Sequence, residues 1–210
     1  MVWSCLVSIL PGMAQTEKLT DYVNPFVGTD GYGNVYPGAQ IPFGGIQISP
    51  DTDSRFYDAA SGYKYNHLTL MGFSLTHLSG TGIPDLGDFL FIPGTGEMKL
   101  EPGTHEDPDQ GYRSRYSHDK EWASPNYYAV ELADYGVKAE MTSGVRSGMF
   151  RFTYPESDNA FIMIDMNHTL WQSCEWSNLR MINDSTITGY KLVKGWGPER
   201  HVYFTATFSK

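Results

Sequence analysis

Along the second half of the chain, apolar and polar positions alternate at period two. Val137, Ala139 and Met141 share one side against Lys138 and Glu140, and Val202, Phe204, Ala206 and Phe208 alternate with Tyr203, Thr205 and Thr207. Alternation of this kind sets one face of a strand on a core and the other in solvent. Strands are expected over residues 126–132, 137–142, 145–154, 160–166, 186–192 and 201–208, separated by turn clusters such as Tyr154-Pro155-Glu156-Ser157-Asp158. Upstream, residues 44–50 read as a short half-buried strand with Ile46 and Ile48 inward and Gln47 and Ser49 outward. Short strands at regular spacing with turn residues between them predict an all-β fold, a sandwich or a barrel. No internal repeat or low-complexity tract interrupts the pattern.

The chain is organised around residues 62–94. Apolar runs at 68–75 and 89–93 read as strands, and between them stands Thr76-His77-Leu78-Ser79-Gly80-Thr81-Gly82, with an imidazole, three hydroxyls and two glycines. Glycine lets the backbone approach a ligand or take positive φ, so residues 76–88 are expected to form an exposed loop at the edge of the fold. Ahead of it, glycine or proline recurs every few residues from Leu19 onward, which no helix survives. Gly28-Thr29-Asp30-Gly31-Tyr32-Gly33-Asn34 lacks the Gly-Lys-Ser/Thr and the following helix that a phosphate loop requires.

Composition supports the strand reading: 22 glycines, 12 prolines and 14 tyrosines in 210 residues favour turns and strands, and 40% hydrophobic content suffices for a packed core. A formal net charge of −9 argues against nonspecific attraction to nucleic acid or anionic membranes, and leaves a neutral ligand such as a sugar compatible. Residues 1–18 read as a partial secretory leader and lead-in, with an apolar stretch from Val2 to Leu10 and a small-residue boundary at Ala14, so that the chain is expected to be exported, to the periplasm or the extracellular space. Cys5 falls in that leader and Cys174 stands alone, so no internal disulfide is expected. No later stretch approaches the ~18 apolar residues of a membrane span. The last expected strand runs straight into Lys210, as though the domain, residues 19–210, were cut at its C-terminal edge.

The six histidines show neither H-x-x-H nor H-E-x-x-H spacing, so no zinc site is signalled. Asp85 and Asp88 could offer oxygens to calcium but fall short of an EF-type loop. Ser79, His77 and Asp85 could form a triad, yet no G-x-S-x-G turn stands behind them. The aromatics say more. Phe56, Tyr57, Tyr63 and Tyr65 surround a small-residue run ahead of the central loop, with Tyr63 and Tyr65 on one strand face, and Trp171 and Trp176 flank a polar stretch later. Rings beside hydrogen-bonding loops suit sugars, whose C–H faces stack while their hydroxyls need paired donors and acceptors.

Six motifs occur in order: Val23-Asn24-Pro25-Phe26-Val27-Gly28-Thr29, Tyr36-Pro37-Gly38-Ala39, Pro42-Phe43-Gly44, Ser49-Pro50-Asp51-Thr52, Ser61-Gly62-Tyr63 and the 76–82 loop. Together they resemble the N-terminal domain of the calcium-dependent exo-α-mannosidases of glycoside hydrolase family 92, over residues 19–210. Gly195-Trp196 and Val202-Tyr203-Phe204 also fit. The resemblance implies an antiparallel β-sandwich that packs on a C-terminal (α/α)6 barrel of the same polypeptide, with the active site between them. It implies hydrolysis of terminal α-mannose of glycans with inversion, the catalytic carboxylates and most contacts to Ca2+ coming from the barrel. No catalytic or metal-ligating residue is therefore expected in this chain, and the fragment alone is expected to be inactive; a stand-alone carbohydrate-binding module is the alternative.

By the same resemblance the substrate-binding set is Tyr57, Asp58, Ser61, Gly62, Tyr63, His77, Gly80, Thr81, Gly82 and Asp85. Tyr57, Asp58, His77, Thr81 and Asp85 are expected together and partly exposed on the face that meets the barrel. The chain departs from the family pattern at Tyr32, Asn34 and Leu75, where histidines are common, and at Tyr57, where α-1,2-specific members carry a tryptophan. A smaller ring with a hydroxyl reshapes the leaving-group side of the pocket, which leaves the linkage open.

Overall fold

The computed structural model describes residues 17–54 and 59–209. The leader reading for residues 1–16, the candidates Tyr57 and Asp58, and Lys210 lie outside the described residues. Fourteen strands are found among the described residues: β1 Ala39–Gln40, β2 Gln47–Asp51, β3 Thr69–Leu70, β4 Gly72–Ser74, β5 Leu90–Thr95, β6 Ser114–Arg115, β7 Glu121–Ser124, β8 Tyr127–Leu132, β9 Val137–Ser143, β10 Gly148–Thr153, β11 Ala160–Asp165, β12 Ser173–Asn183, β13 Thr186–Lys194 and β14 Arg200–Thr207. Every pairing is antiparallel. The only helical turns among them are short 3-10 segments such as Leu19–Tyr22 and His118–Lys120. The all-β antiparallel reading therefore holds.

A five-stranded sheet in the order β1-β2-β4-β5-β11 lies against a four-stranded sheet, β10-β9-β8-β7. Their facing sides form the core, where Ile48 and Phe73 meet Tyr128, Val130, Ala139 and Met141, all buried. Of these, Ile48, Phe73, Val130 and Met141 each contribute about 1.5–3 kcal/mol by leaving water. A three-stranded sheet, β12-β13-β14, is joined to the first through Phe204, whose ring centroid is 4.4 Å from that of Phe89 and 6.0 Å from that of Phe91.

Two expectations change in detail, and one strand, β12, was not expected at all. Within residues 44–50, Ile46 and Gln47 are half-buried and Ile48 is enclosed, but Ser49, expected outward, is enclosed too, because β2 sits between β1 and β4 with the turn at residues 59–63 folded over its C-terminal end. The run 68–75 is two strands rather than one. Thr69 and Leu70 pair with β6, while β4 joins β2 and β5. The change of sheet comes at Gly72, where a Cβ would lie 2.8 Å from the Phe91 carbonyl oxygen. The longest strand, β12, has no period-two pattern, because register shifts fall between Cys174 and Trp176 and between Met181 and Asn183.

Candidate functional site

The site is built on the C-terminal end of β2. Asp51 is fully buried, with Oδ1 2.8 Å from His77 Nε2 and Oδ2 2.8 Å from His168 Nε2. An ionised carboxylate only accepts, so each imidazole donates to it. Burial by itself would push the Asp51 carboxyl up; the two imidazoles outweigh it and hold the group well below the usual carboxylate range. This one side chain joins three segments distant in sequence: the end of β2, the 76–82 loop, and residues 165–172.

Expected to face outward, His77 instead turns inward and is 2% exposed. Its Nδ1 lies 2.7 Å from the Gln47 carbonyl oxygen, and Nε2 is shared between Asp51 and Ser74 Oγ at 3.0 Å. Both ring nitrogens are thus engaged within the fold, and the residue shapes the loop from beneath. Gly62 closes over the same place. Its φ is +86°, and a Cβ there would stand 2.1 Å from Asp51 Oδ1, so only glycine fits. Thr52 N donates to the Gly62 carbonyl at 2.7 Å, which ties the turn back to the strand end.

The other candidates divide. Ser61 and Tyr63 are buried, and Tyr63 runs into the sandwich core, where its hydroxyl donates to Glu121 Oε1 at 2.9 Å beside the Tyr128 hydroxyl at 2.5 Å. Residues 63–65 form no strand, and Tyr65 is exposed and stacked on His118 at 3.9 Å, so the two tyrosines do not share a face. Asp85, also expected to be partly exposed, is buried and accepts from Leu86 N at 2.6 Å and Trp196 N at 3.1 Å, pinning the loop to the β13–β14 connection. His77 therefore pairs with Asp51, not with Asp85, and no triad with Ser79 forms. Gly80, Thr81 and Gly82 do reach the surface, with Gly80 at φ +73°.

Asp88 is the second buried carboxylate. Lys191 Nζ is 3.0 Å from its Oδ1, Arg200 Nη1 2.5 Å from its Oδ2, and Thr76 Oγ1 donates to Oδ2 at 2.7 Å. Lys191 also donates to the His168 carbonyl at 2.6 Å, so this ion pair holds the backbone that presents His168 to Asp51. Burial would raise Asp88, and Lys191 with Arg200 lowers it.

Beside His168 opens a cleft of about 540 Å³ lined by Ser54, Tyr112, Asp165, Asn167 and Trp171 among others. Ser54 lies three positions before Tyr57 in the sequence. Asp165 accepts from Asn167 N at 2.9 Å and His168 N at 3.1 Å. Sequence reasoning named Trp171 only as an aromatic and passed over Asp51 and His168. Asp51 stood in a quoted motif, whereas nothing in the spacing marks His168 as its partner, 117 residues away. Among the described residues no group of three His, Cys, Asp or Glu side chains could hold a metal ion. The buried carboxylates are already held by imidazoles, by ammonium and guanidinium groups and by backbone N–H, which is not the oxygen-only shell that calcium takes.

The sequence model of the glycosyl hydrolase family 92 N-terminal domain matches residues 22–210. A secreted glycosidase of Arthroderma benhamiae is 30% identical over 139 residues, 65% of this chain and 17% of that protein. The structure of the family 92 glycosyl hydrolase ccman5 superposes with a TM-score of 0.72 at 29% identity, covering 89% of this chain and 26% of that one. A family 92 inverting mannosidase from Bacteroides thetaiotaomicron superposes with a TM-score of 0.65 at 21% identity, over 91% of this chain and 29% of the other, a likeness of fold. The chain thus spans under a third of each of these proteins.

Proposed function

Because the chain belongs to glycosyl hydrolase family 92, as its N-terminal domain, we propose that it is the substrate-facing part of an exported, calcium-dependent exo-α-mannosidase that releases terminal α-mannose from glycans with inversion. The observation that carries this reading is the convergence of two motif loops, 61–63 and 76–82, on Asp51, beside an open cleft with polar and aromatic walls. The family names of the relatives support a glycosidase, and the secreted relative supports export.

In this reading Tyr57 and Asp58, with the surface of Gly80, Thr81 and Gly82, touch the sugar, while Ser61, Gly62, Tyr63, His77 and Asp85 hold those loops in place. Inverting hydrolysis needs an acid and a base about 6.5–9.5 Å apart, with water between base and anomeric carbon. Both are assigned to a C-terminal (α/α)6 barrel, and so is calcium, for which the described residues here offer no donor set. Large apolar side chains exposed along residues 176–203, Trp176, Leu179, Met181, Ile182 and Trp196 among them, support a surface covered by that barrel in the longer polypeptide.

The test is to assay the purified 210-residue chain with an α-mannoside and calcium, then to add a separately produced C-terminal region. Release of mannose only on recombination is the expected result. Calcium-dependent release by the chain alone would overturn the division of roles.

A further inference from the structure

Trp171 stands apart from every residue around it. Leu170 is fully buried and its N–H donates to the Leu86 carbonyl at 3.0 Å, packed where a Cβ on Gly87 would already meet it at 2.7 Å. Thr169 Oγ1 donates to the Gln172 carbonyl at 2.7 Å, and Gln172 Nε2 to the Pro84 carbonyl at 2.6 Å. His168 is fixed by Asp51 through its ring and by Lys191 through its carbonyl. Between these anchored neighbours Trp171 is 65% exposed and takes φ +76°. A bulky residue in the left-handed region is an outlier, and such conformations persist where surrounding structure imposes them, most often at ligand sites.

Packing does not account for the indole. Among the described residues no aromatic ring or cation stacks on it, whereas Trp176 has Tyr190 at 5.0 Å and Trp122 has Lys138 at 5.6 Å. What it does have is the cleft of about 540 Å³, of which it forms one wall. The remaining wall includes hydrogen-bonding groups of both kinds: the Ser54 hydroxyl, the Asn167 amide, whose Oδ1 accepts from Ser177 Oγ at 2.9 Å, and the Asp165 carboxylate, to which the Tyr112 hydroxyl donates weakly at 3.4 Å. An exposed flat apolar ring facing a set of neutral donors and acceptors, with one carboxylate, matches a pyranose, which has an apolar C–H face and an equatorial rim of hydroxyls. A protein partner would ask instead for a broader apolar surface than Met71 and Pro102 give, and an anion for more positive charge than the single His168 imidazole, which Asp51 already holds.

We infer that Trp171 is the stacking wall of a glycan subsite in this cleft, one ring of the bound oligosaccharide lying on the indole while Asn167 and Asp165 bind its hydroxyls. The inference rests on the mannoside reading only for the identity of that sugar. Its wall includes Ser54 and His168, the latter bonded to Asp51, so the subsite adjoins the proposed site rather than forming a separate one.

The positive φ makes the test two-sided. Trp171→Gly relieves the backbone while removing the ring, so it should keep or raise the thermal midpoint of the chain and weaken saccharide binding about tenfold or more. Trp171→Phe, which keeps a ring, should stay within about threefold of wild type, and Trp196→Ala, an exposed tryptophan outside the cleft, should bind as wild type. Binding is read by titration calorimetry with α-linked mannobiose and, in parallel, with cellobiose and galactobiose. Selective loss of mannobiose binding in Trp171→Gly supports both the subsite and the mannoside reading. The same loss for cellobiose or galactobiose, with mannobiose never bound, keeps the subsite and removes the mannoside reading. Wild-type affinity in Trp171→Gly, a lowered thermal midpoint with unchanged affinity, or no binding of any of the three sugars to the wild-type chain would overturn the inference.

Discussion

Replacing Asp88 by alanine should be among the most damaging single changes in this domain. Asp88 is 1% exposed and Lys191 fully enclosed, and the carboxylate is the counter-ion of both the Lys191 ammonium and the Arg200 guanidinium. Arg200 is partly open to solvent and can rehydrate. Lys191 cannot: without Asp88 its ammonium keeps the His168 carbonyl at 2.6 Å and the face of Phe89 at 5.1 Å, and has no other ion-pair partner among the described residues. Leaving one member of a buried pair uncompensated costs about 3–5 kcal/mol. At about 2–4 °C per kcal/mol for a domain of this size, the thermal midpoint should fall by roughly 6–20 °C. Urea unfolding followed by circular dichroism gives the free energy directly. Adding Lys191→Met to Asp88→Ala should recover much of the loss, because an apolar side chain of similar length is content in the same cavity. A loss under about 1 kcal/mol for Asp88→Ala, or a double variant no more stable than the single, would refute the reasoning.

Gly62→Ala should destabilise by about 2–4 kcal/mol, since a Cβ 2.1 Å from Asp51 Oδ1 must displace the carboxylate and φ +86° strains the backbone besides; chemical unfolding at neutral pH checks it. Asp51 and Asp88 both have folded pKa values below the unfolded one, so their contribution is complete above about pH 5 and drains away as the pH falls through the folded values. Stability should therefore decline on acidification, and Asp51→Asn should flatten that decline between about pH 5 and 3; an unaltered acid limb would count against the paired carboxylate. In the intact enzyme Tyr57→Ala should lower kcat/KM for a mannoside about fivefold, the worth of roughly 1 kcal/mol of stacking, and unchanged kinetics would demote it to packing. The isolated chain should self-associate through the apolar side chains exposed between Trp176 and Tyr203, which light scattering on a size-exclusion column would reveal as a mass above that of a monomer.

Strands were legible where one face meets the core and the other meets water. β8, β9 and β14 lie within a residue or so of their expected bounds, and in β9 and β14 Ala139 and Phe204 alternate with polar neighbours. The pattern fails where that physical condition fails. In β12 two register shifts change which face each residue occupies, and Leu179 and Met181 are exposed, so hydrophobic character there reports no core. In β2 both faces are covered, and the polar Ser49 that suggested solvent is enclosed by the turn above it.

The same distinction explains the site. A glycine-rich loop with a histidine was visible as a candidate functional loop, but the direction in which the imidazole points is decided by residues 26 and 30 positions away, Asp51 and Gln47, and sequence spacing carries no trace of that. The two kinds of glycine make the consequence concrete. Gly62 is required by space, since a side chain would strike Asp51; Gly80, at φ +73° with nothing within 4 Å, is required by conformation alone and leaves its surroundings open. Residues of the first kind belong to the frame, so their loss should appear as lost stability. Residues of the second kind, with Thr81 and Trp171, stand where a ligand can reach them, and their loss should appear in affinity while the fold is retained. Comparing unfolding free energy with saccharide affinity across Gly62, His77, Thr81 and Trp171 variants would separate the frame from the binding surface, and a variant set in which both quantities fell together would deny that the two are distinct.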